Sequence, residues 1–106
     1  MITTSCTMLT IITESSLEKR LVADLKRLGA PGYTVCDAHG EGHRGVRNSG
    51  WQASGNIRVE VICDEATVAT IAEQIRDRYY SDYAMILYLS EVRVLRPEKF
   101  RAKPTA

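Results

Sequence analysis

Apolar side chains fall along the chain in short stretches whose spacing switches between two and about 3.6 residues, so elements can be placed before any chemistry is considered. Thr7-Met8-Leu9-Thr10-Ile11-Ile12-Thr13 is short, β-branched and bounded by polar residues, as a strand is. Leu17, Leu21, Leu25 and Leu28 then recur on one helical face, with Ser15 and Glu18 at capping-box spacing and Gly29 to stop the helix. Ala30-Pro31-Gly32 punctuates the chain, and Tyr33 to Ala38 alternates as a second strand. Ile57, Val59, Val61 and Cys63 alternate with polar residues as a third strand, after which Asp64 caps a second helix with the stripe Val68, Ile71, Ala72, Ile75 and Tyr79. Ala84 to Leu89 predicts a fourth strand and Val92 to Leu95 a short fifth, before a polar tail over 96–106.

Between the second and third strands lies a long loop, 39–56, with glycines at 40, 42, 45, 50 and 55 and neither period. A loop of that length is uncommon unless it carries function or is disordered. The order βαββαβ with right-handed crossovers predicts an α+β fold, an antiparallel sheet with both helices on one face, which is the ferredoxin-like sandwich. Strand four is apolar at both parities, with Ala84, Ile86 and Tyr88 against Met85, Leu87 and Leu89. One helix-covered face cannot bury both sets, so the chain either self-associates or carries an exposed apolar patch as a monomer.

Composition narrows the class. The 106 residues make room for one domain, 1–106, and none for a multidomain enzyme. A formal charge of +1 gives no global bias toward nucleic acid, so any basic feature is local. Apolar runs are strand-sized and the N-terminus lacks the regions of a signal peptide, which makes the cytoplasm the expected location, without membrane insertion. Cys6, Cys36 and Cys63 form an odd set without a C-x-x-C pair and read as reduced thiols.

The chemistry concentrates in His39-Gly40-Glu41-Gly42-His43-Arg44-Gly45-Val46-Arg47. Glycines allow backbone N–H groups to converge on an oxyanion, and guanidinium groups match phosphate oxygens in planar forks. The residues alone leave an anion site and a solvated connection as open alternatives. His39 and His43 have a zinc spacing only on a helix, which Gly40 and Gly42 oppose, so no metal site is expected. Asp64-Glu65 suits a helix start, and no nucleophile–base pair is evident, so no catalytic residue is assigned. Trp51 is open to two readings, a partner anchor or a packed side chain.

Gly32-Tyr33-Thr34-Val35, Gly40-Glu41-Gly42-His43-Arg44, Val46-Arg47-Asn48-Ser49-Gly50 and Asp82-Tyr83-Ala84 together resemble the PII signal-transduction superfamily, over about Thr7 to Leu95. The similarity is greatest to the PII-like branch associated with bicarbonate transport and carboxysomes. The resemblance implies a ferredoxin-like homotrimer with nucleotide sites in clefts between subunits and a long loop that serves as effector surface. It places Thr34 near adenine and Ile62 in the adenine pocket, Gly40 and Gly42 at the loop base with Glu41 and His43 among them, and Arg44 and Arg47 on phosphate. Tyr79-Tyr80-Ser81-Asp82-Tyr83 lacks the Gly- and Lys-containing phosphate loop of nitrogen-sensing relatives, and Arg44 replaces their loop-base glutamine.

The expected function is therefore that of a regulator, not an enzyme, which needs no cofactor and binds ADP, AMP or cyclic AMP, with bicarbonate as a candidate second ligand. Its expected partner is a bicarbonate transporter or a carboxysome-related protein. The alternatives are a CutA-like trimer with a metal-related role and a slow nucleotide hydrolase.

Overall fold

A computed structural model of the chain describes residues 1–42, 45–47 and 55–105. Its central element is β1 (Thr4–Glu14), hydrogen-bonded on one side to β5 (Asn56–Cys63) and on the other to β6 (Ile86–Val94). With β2 (Thr34–Ala38) outside β5, the sheet runs β2-β5-β1-β6 and every neighbouring pair is antiparallel. Helices α1 (Glu18–Arg27) and α2 (Glu65–Tyr79) pack on one face, completing the ferredoxin-like α+β sandwich. The resulting core joins Leu9 and Ile11 of β1, Ile57, Val59 and Val61 of β5, Leu21 and Leu25 of α1, and Val68, Ile71 and Ile75 of α2.

Several local expectations change. The capping box at Ser15 does not form: Ser15–Leu17 is a 3₁₀ turn, and the Ser15 hydroxyl and amide both donate to the carbonyl of Gly55, at 2.8 Å each. That serine ties the end of β1 to the start of β5 rather than capping α1. The loop base contains two strands, β3 (Gly40–Gly42) and β4 (Gly45–Arg47), paired Gly40 to Arg47 and Glu41 to Val46. The predicted fourth and fifth strands are one continuous β6, because Ser90 and Glu91 remain in register with Met8 and Thr7 on an edge strand that tolerates polar residues. β1 begins three residues before the predicted Thr7, since Val94, Arg93 and Val92 supply partners for Thr4, Ser5 and Cys6.

Other signals hold. Asp64 accepts from the Thr67 amide at 2.9 Å and the Thr67 hydroxyl at 2.8 Å, and these bonds keep its carboxyl below the usual range. Gly29 has a φ of 94°, the left-handed conformation that ends α1. All three cysteines are free; burial and a hydrogen bond to Asp64 push the Cys63 thiol up, so it stays protonated.

Between the helices sits a buried carboxylate. Asp24 is 5% exposed and accepts from the Tyr79 hydroxyl at 2.6 Å, with Arg78 and Arg27 guanidinium nitrogens at 3.2 Å and 3.4 Å. Arg20 lies 5.2 Å from the Tyr79 ring centroid and donates to the Tyr83 hydroxyl at 3.1 Å. Desolvation, then the hydrogen bond to Asp24, push the Tyr79 phenol up to about 12. The folded chain thus holds this proton more tightly than the unfolded chain, whose phenol titrates near 10.0. Its contribution is complete below about pH 10 and declines as pH rises toward 12. Tyr79→Phe is expected to cost about 1.5–3 kcal/mol at neutral pH, as loss of a hydrogen bond to a charged group does. Urea unfolding at neutral pH and at pH 10 or above should show the gap between wild type and variant shrinking on the alkaline side.

Candidate ligand cleft

β1 is the reason that a site can form on the sheet. Leu9 and Ile11 point into the helix-covered core, so Met8, Thr10 and Ile12 point to the opposite face, which no helix of the described residues covers. Cross-strand register places Ile12 beside Ile86 and Arg58, Thr10 beside Tyr88 and Glu60, and Met8 beside Ser90 and Ile62. Ile86 and Tyr88 are 45% and 46% exposed on this face, and the buried Thr10 hydroxyl has no hydrogen-bond partner among the described residues.

At the β2 side of the same face is a cleft of about 120 Å³, lined by Gly32, Tyr33, Thr34, Glu60, Ile62, Lys99 and Phe100. Thr34 and Glu60 are register partners of β2 and β5, and Ile62 stands two residues further along β5 on the same face. The Glu60 carboxylate is 3.5 Å from the Arg58 guanidinium. The remaining wall comes from the tail. After β6 the chain forms a 3₁₀ turn over Pro97–Phe100, and the Lys103 amide then donates to the Gly29 carbonyl at 2.8 Å.

The residues assigned to a ligand by sequence separate into two groups. Thr34 and Ile62 come together in the cleft. Gly40, Glu41 and Gly42 lie beyond the other end of β2, in the hairpin with the backbone of Arg47. The five residues of β2 span about 13 Å, with Thr34 at one end and the glycines beyond the other. His43 and Arg44 lie outside the described residues, as do Trp51 and the rest of 48–54. In the described conformation the glycines of β3 are extended, and successive amides of a strand point to opposite sides rather than converging in a nest. A Cβ on Gly40 would meet nothing within 4 Å, so open space adjoins the loop base.

The sequence reading missed Tyr33, Glu60, Lys99 and Phe100 as cleft-lining residues. The signal for Phe100 was available: it is the only phenylalanine in the chain and stands in an otherwise polar tail. Among the described residues, no group of three or more His, Cys, Asp and Glu side chains is placed to hold a metal ion, and no helix is long and apolar enough to cross a membrane.

The fold and its uncovered face define an α+β protein of the ferredoxin-like class. Residues 6–99 match the family model of the nitrogen regulatory protein P-II, and the chain belongs to that family, a regulatory one. A PII-like signaling protein from Thermus thermophilus is 44% identical, with a TM-score of 0.79 over 94% of this chain and 99% of that one. CPII from Thiomonas intermedia, a nitrogen regulatory PII-like protein solved with ADP, AMP and bicarbonate, is 22% identical; its TM-score is 0.85 over 94% of this chain and 97% of its own. GlnK of B. subtilis is 15% identical, with a TM-score of 0.57 over 92% and 100%. The last two likenesses concern the fold alone.

The tail's attachment at Gly29 is unusually intolerant of a side chain. A Cβ there would come within 2.8 Å of the Lys103 carbonyl oxygen and 3.2 Å of Thr105 Cγ2, and the φ of 94° already disfavours it. Gly29→Ala is expected to cost at least about 1–2 kcal/mol in urea unfolding through the left-handed backbone. It should also speed tryptic cleavage after Lys99 and Arg101 by loosening the tail.

Proposed function

We propose that the chain is a PII-like regulatory homotrimer that binds an adenine nucleotide, ADP, AMP or cyclic AMP, in clefts at its subunit interfaces. It reports the bound state to a partner through the 39–56 loop. The observation that supports this reading most is that Thr34 and Ile62, the residues that the PII resemblance assigns to adenine, line one cleft on the uncovered sheet face. The base enters that cleft, and the sugar and phosphates run along β2 toward the hairpin, where Arg44 and Arg47 provide cations. Bicarbonate is the second ligand, on the analogy of CPII, which holds it in its own structure. The partner is an inorganic-carbon transporter or a carbon-fixation protein, met in the cytoplasm. No chemical step is needed: the ligand stabilises one loop conformation by binding it better, and the partner reads that conformation. The family match favours this over a CutA-like or hydrolytic role.

The trimer follows from the sheet. Ile12, Ile86 and Tyr88 with Met8 and Ile62 make one side of a sheet whose other side is already the core, and a closed symmetric assembly buries such a face. Light scattering should give three times the chain mass, and Tyr88→Lys, which places a cation in that face, should shift it to the monomer.

Calorimetric titration with ADP, AMP, cyclic AMP and adenosine, with and without bicarbonate, tests the ligand. Arg44→Ala and Arg47→Ala should each weaken ADP by about 1.5–3 kcal/mol, the worth of a charge-assisted bond, and leave adenosine nearly unchanged. Equal losses for ADP and adenosine would remove the arginines from the phosphate site.

A further inference from the structure

We propose that the outer face of the helix layer is a docking surface for an acidic segment of a partner protein, received by Arg20, Arg27 and Arg78 where α1 and α2 meet over Asp24. This face is on the other side of the sheet from the cleft, and its role does not depend on a nucleotide.

Cations outnumber carboxylates there. Arg20, Asp24 and Arg27 share one stripe of α1, at i, i+4 and i+7, and the end of α2 brings Arg78 and Tyr79 to the same place. Asp24 is shared between Arg78 at 3.2 Å and Arg27 at 3.4 Å. Arg20 instead donates to a neutral group, the Tyr83 hydroxyl at 3.1 Å, and makes no ion pair among the described residues. Three guanidinium groups less one carboxylate leave a surplus of two positive charges. Arg76, a turn-mate of Arg78, adds nothing to that surplus, because Asp77 pairs with it at 3.1 Å.

The three arginines are exposed, yet they are held in place. The guanidinium carbons of Arg20 and Arg78 lie 5.2 Å and 5.9 Å from the Tyr79 ring centroid, Arg20 is also 5.9 Å from the Tyr83 centroid, and Asp24 fixes Arg27 and Arg78. Side chains ordered in advance lose little freedom on meeting a carboxylate, and guanidinium forks match its two oxygens. A small anion on such an open surface gains little, because water screens the pairs. A protein that covers the surface excludes that water and strengthens them. An anionic bilayer fits less well, since its broad charge would also press on Glu18, Glu73 and Asp77, which are exposed on the same two helices. In the proposed trimer the sheets face inward, so each copy presents its arginines outward and one partner can engage several.

The test titrates the full-length chain into a fluorescein-labelled peptide carrying a run of glutamates, at low salt, and follows anisotropy. Arg20→Gln should weaken the peptide about fivefold, the upper range for one exposed ion pair, and Arg20→Lys should recover only part of the loss. Arg76→Gln removes the same charge from an arginine that is already paired, and should leave binding nearly unchanged. In the wild type, amide shifts on peptide addition should concentrate in 20–27 and 76–83, a reading that holds even if a variant fails to fold. Absence of binding, equal losses for Arg20→Gln and Arg76→Gln, or shifts centred on the 39–56 loop overturn the proposal. Phosphatidylserine vesicles that bind in preference to the peptide and are lost with Arg20→Gln would make the face a membrane surface and overturn it too. A mass beyond the trimer that Arg20→Gln abolishes would replace the partner protein with a second copy of the chain, and overturn it likewise.

Discussion

The structure depends on the two-sidedness of β1. As the middle of the β5-β1-β6 ladder it cannot leave the sheet, and its alternate residues must face opposite environments. Leu9 and Ile11 on one side meet α1 and α2 and are fully buried. Met8 and Ile12 on the other side meet no helix among the described residues, yet they are as apolar. Both helices are on the same face because β1 and β2 run parallel with β5 between them, and right-handed crossovers return the chain over one side only. An uncovered face rich in Ile, Met and Tyr follows from the topology. It is also the face on which β2, β5 and the tail enclose the cleft.

Parts of this were legible in the sequence because local chemistry and tertiary demand agreed. Ile57, Val59, Val61 and Cys63 alternate because their strand has one face in the core, and all four are buried. Asp64 caps α2 because its carboxylate satisfies an amide that has no helical acceptor. Where the two diverged, the local signal misled. Ser15 has a capping residue's chemistry but bonds instead to Gly55, forty residues away, a partner that no local pattern reveals. The pair of β3 with β4 has no apolar alternation because glycine occupies Gly40, Gly42 and Gly45; its pairing is carried by the backbone, which leaves no trace in side-chain periodicity. Ser90 and Glu91 looked like a break, yet an edge strand needs only one hydrogen-bonded side.

The lining of the cleft was legible only in part. Thr34 and Ile62 were named by the resemblance to PII proteins and not by periodicity; that they share one face of the sheet follows from their places on regular strands. Lys99 and Phe100 could not, because the tail reaches the cleft through a proline-initiated turn and a backbone bond to Gly29, neither of which has a period to read. Gly29 shows the same divide: its role as a helix stop was visible in the sequence, whereas its second role, admitting the Lys103 carbonyl, depends on a contact across most of the chain.

β2 is the element through which cleft and loop can influence each other. Thr34 stands at its beginning and the hairpin follows its end, with no intervening element to absorb a shift. As an edge strand it is hydrogen-bonded to β5 alone, so it can adjust in register or twist at lower cost than β1 or β5, which are bonded on both sides. In the proposed reading, a base seated beside Thr34 contacts this movable edge at one end, while phosphate drawn by Arg44 and Arg47 acts at the other. The two halves of one ligand then act on opposite ends of a strand about 13 Å long, and either half alone leaves one end of it unconstrained. In the proposed reading this makes the loop respond to an intact nucleotide rather than to base or phosphate separately. On that proposal, the coupling free energy between cleft and loop is the difference in how well the ligand's two ends fit alternative placements of β2.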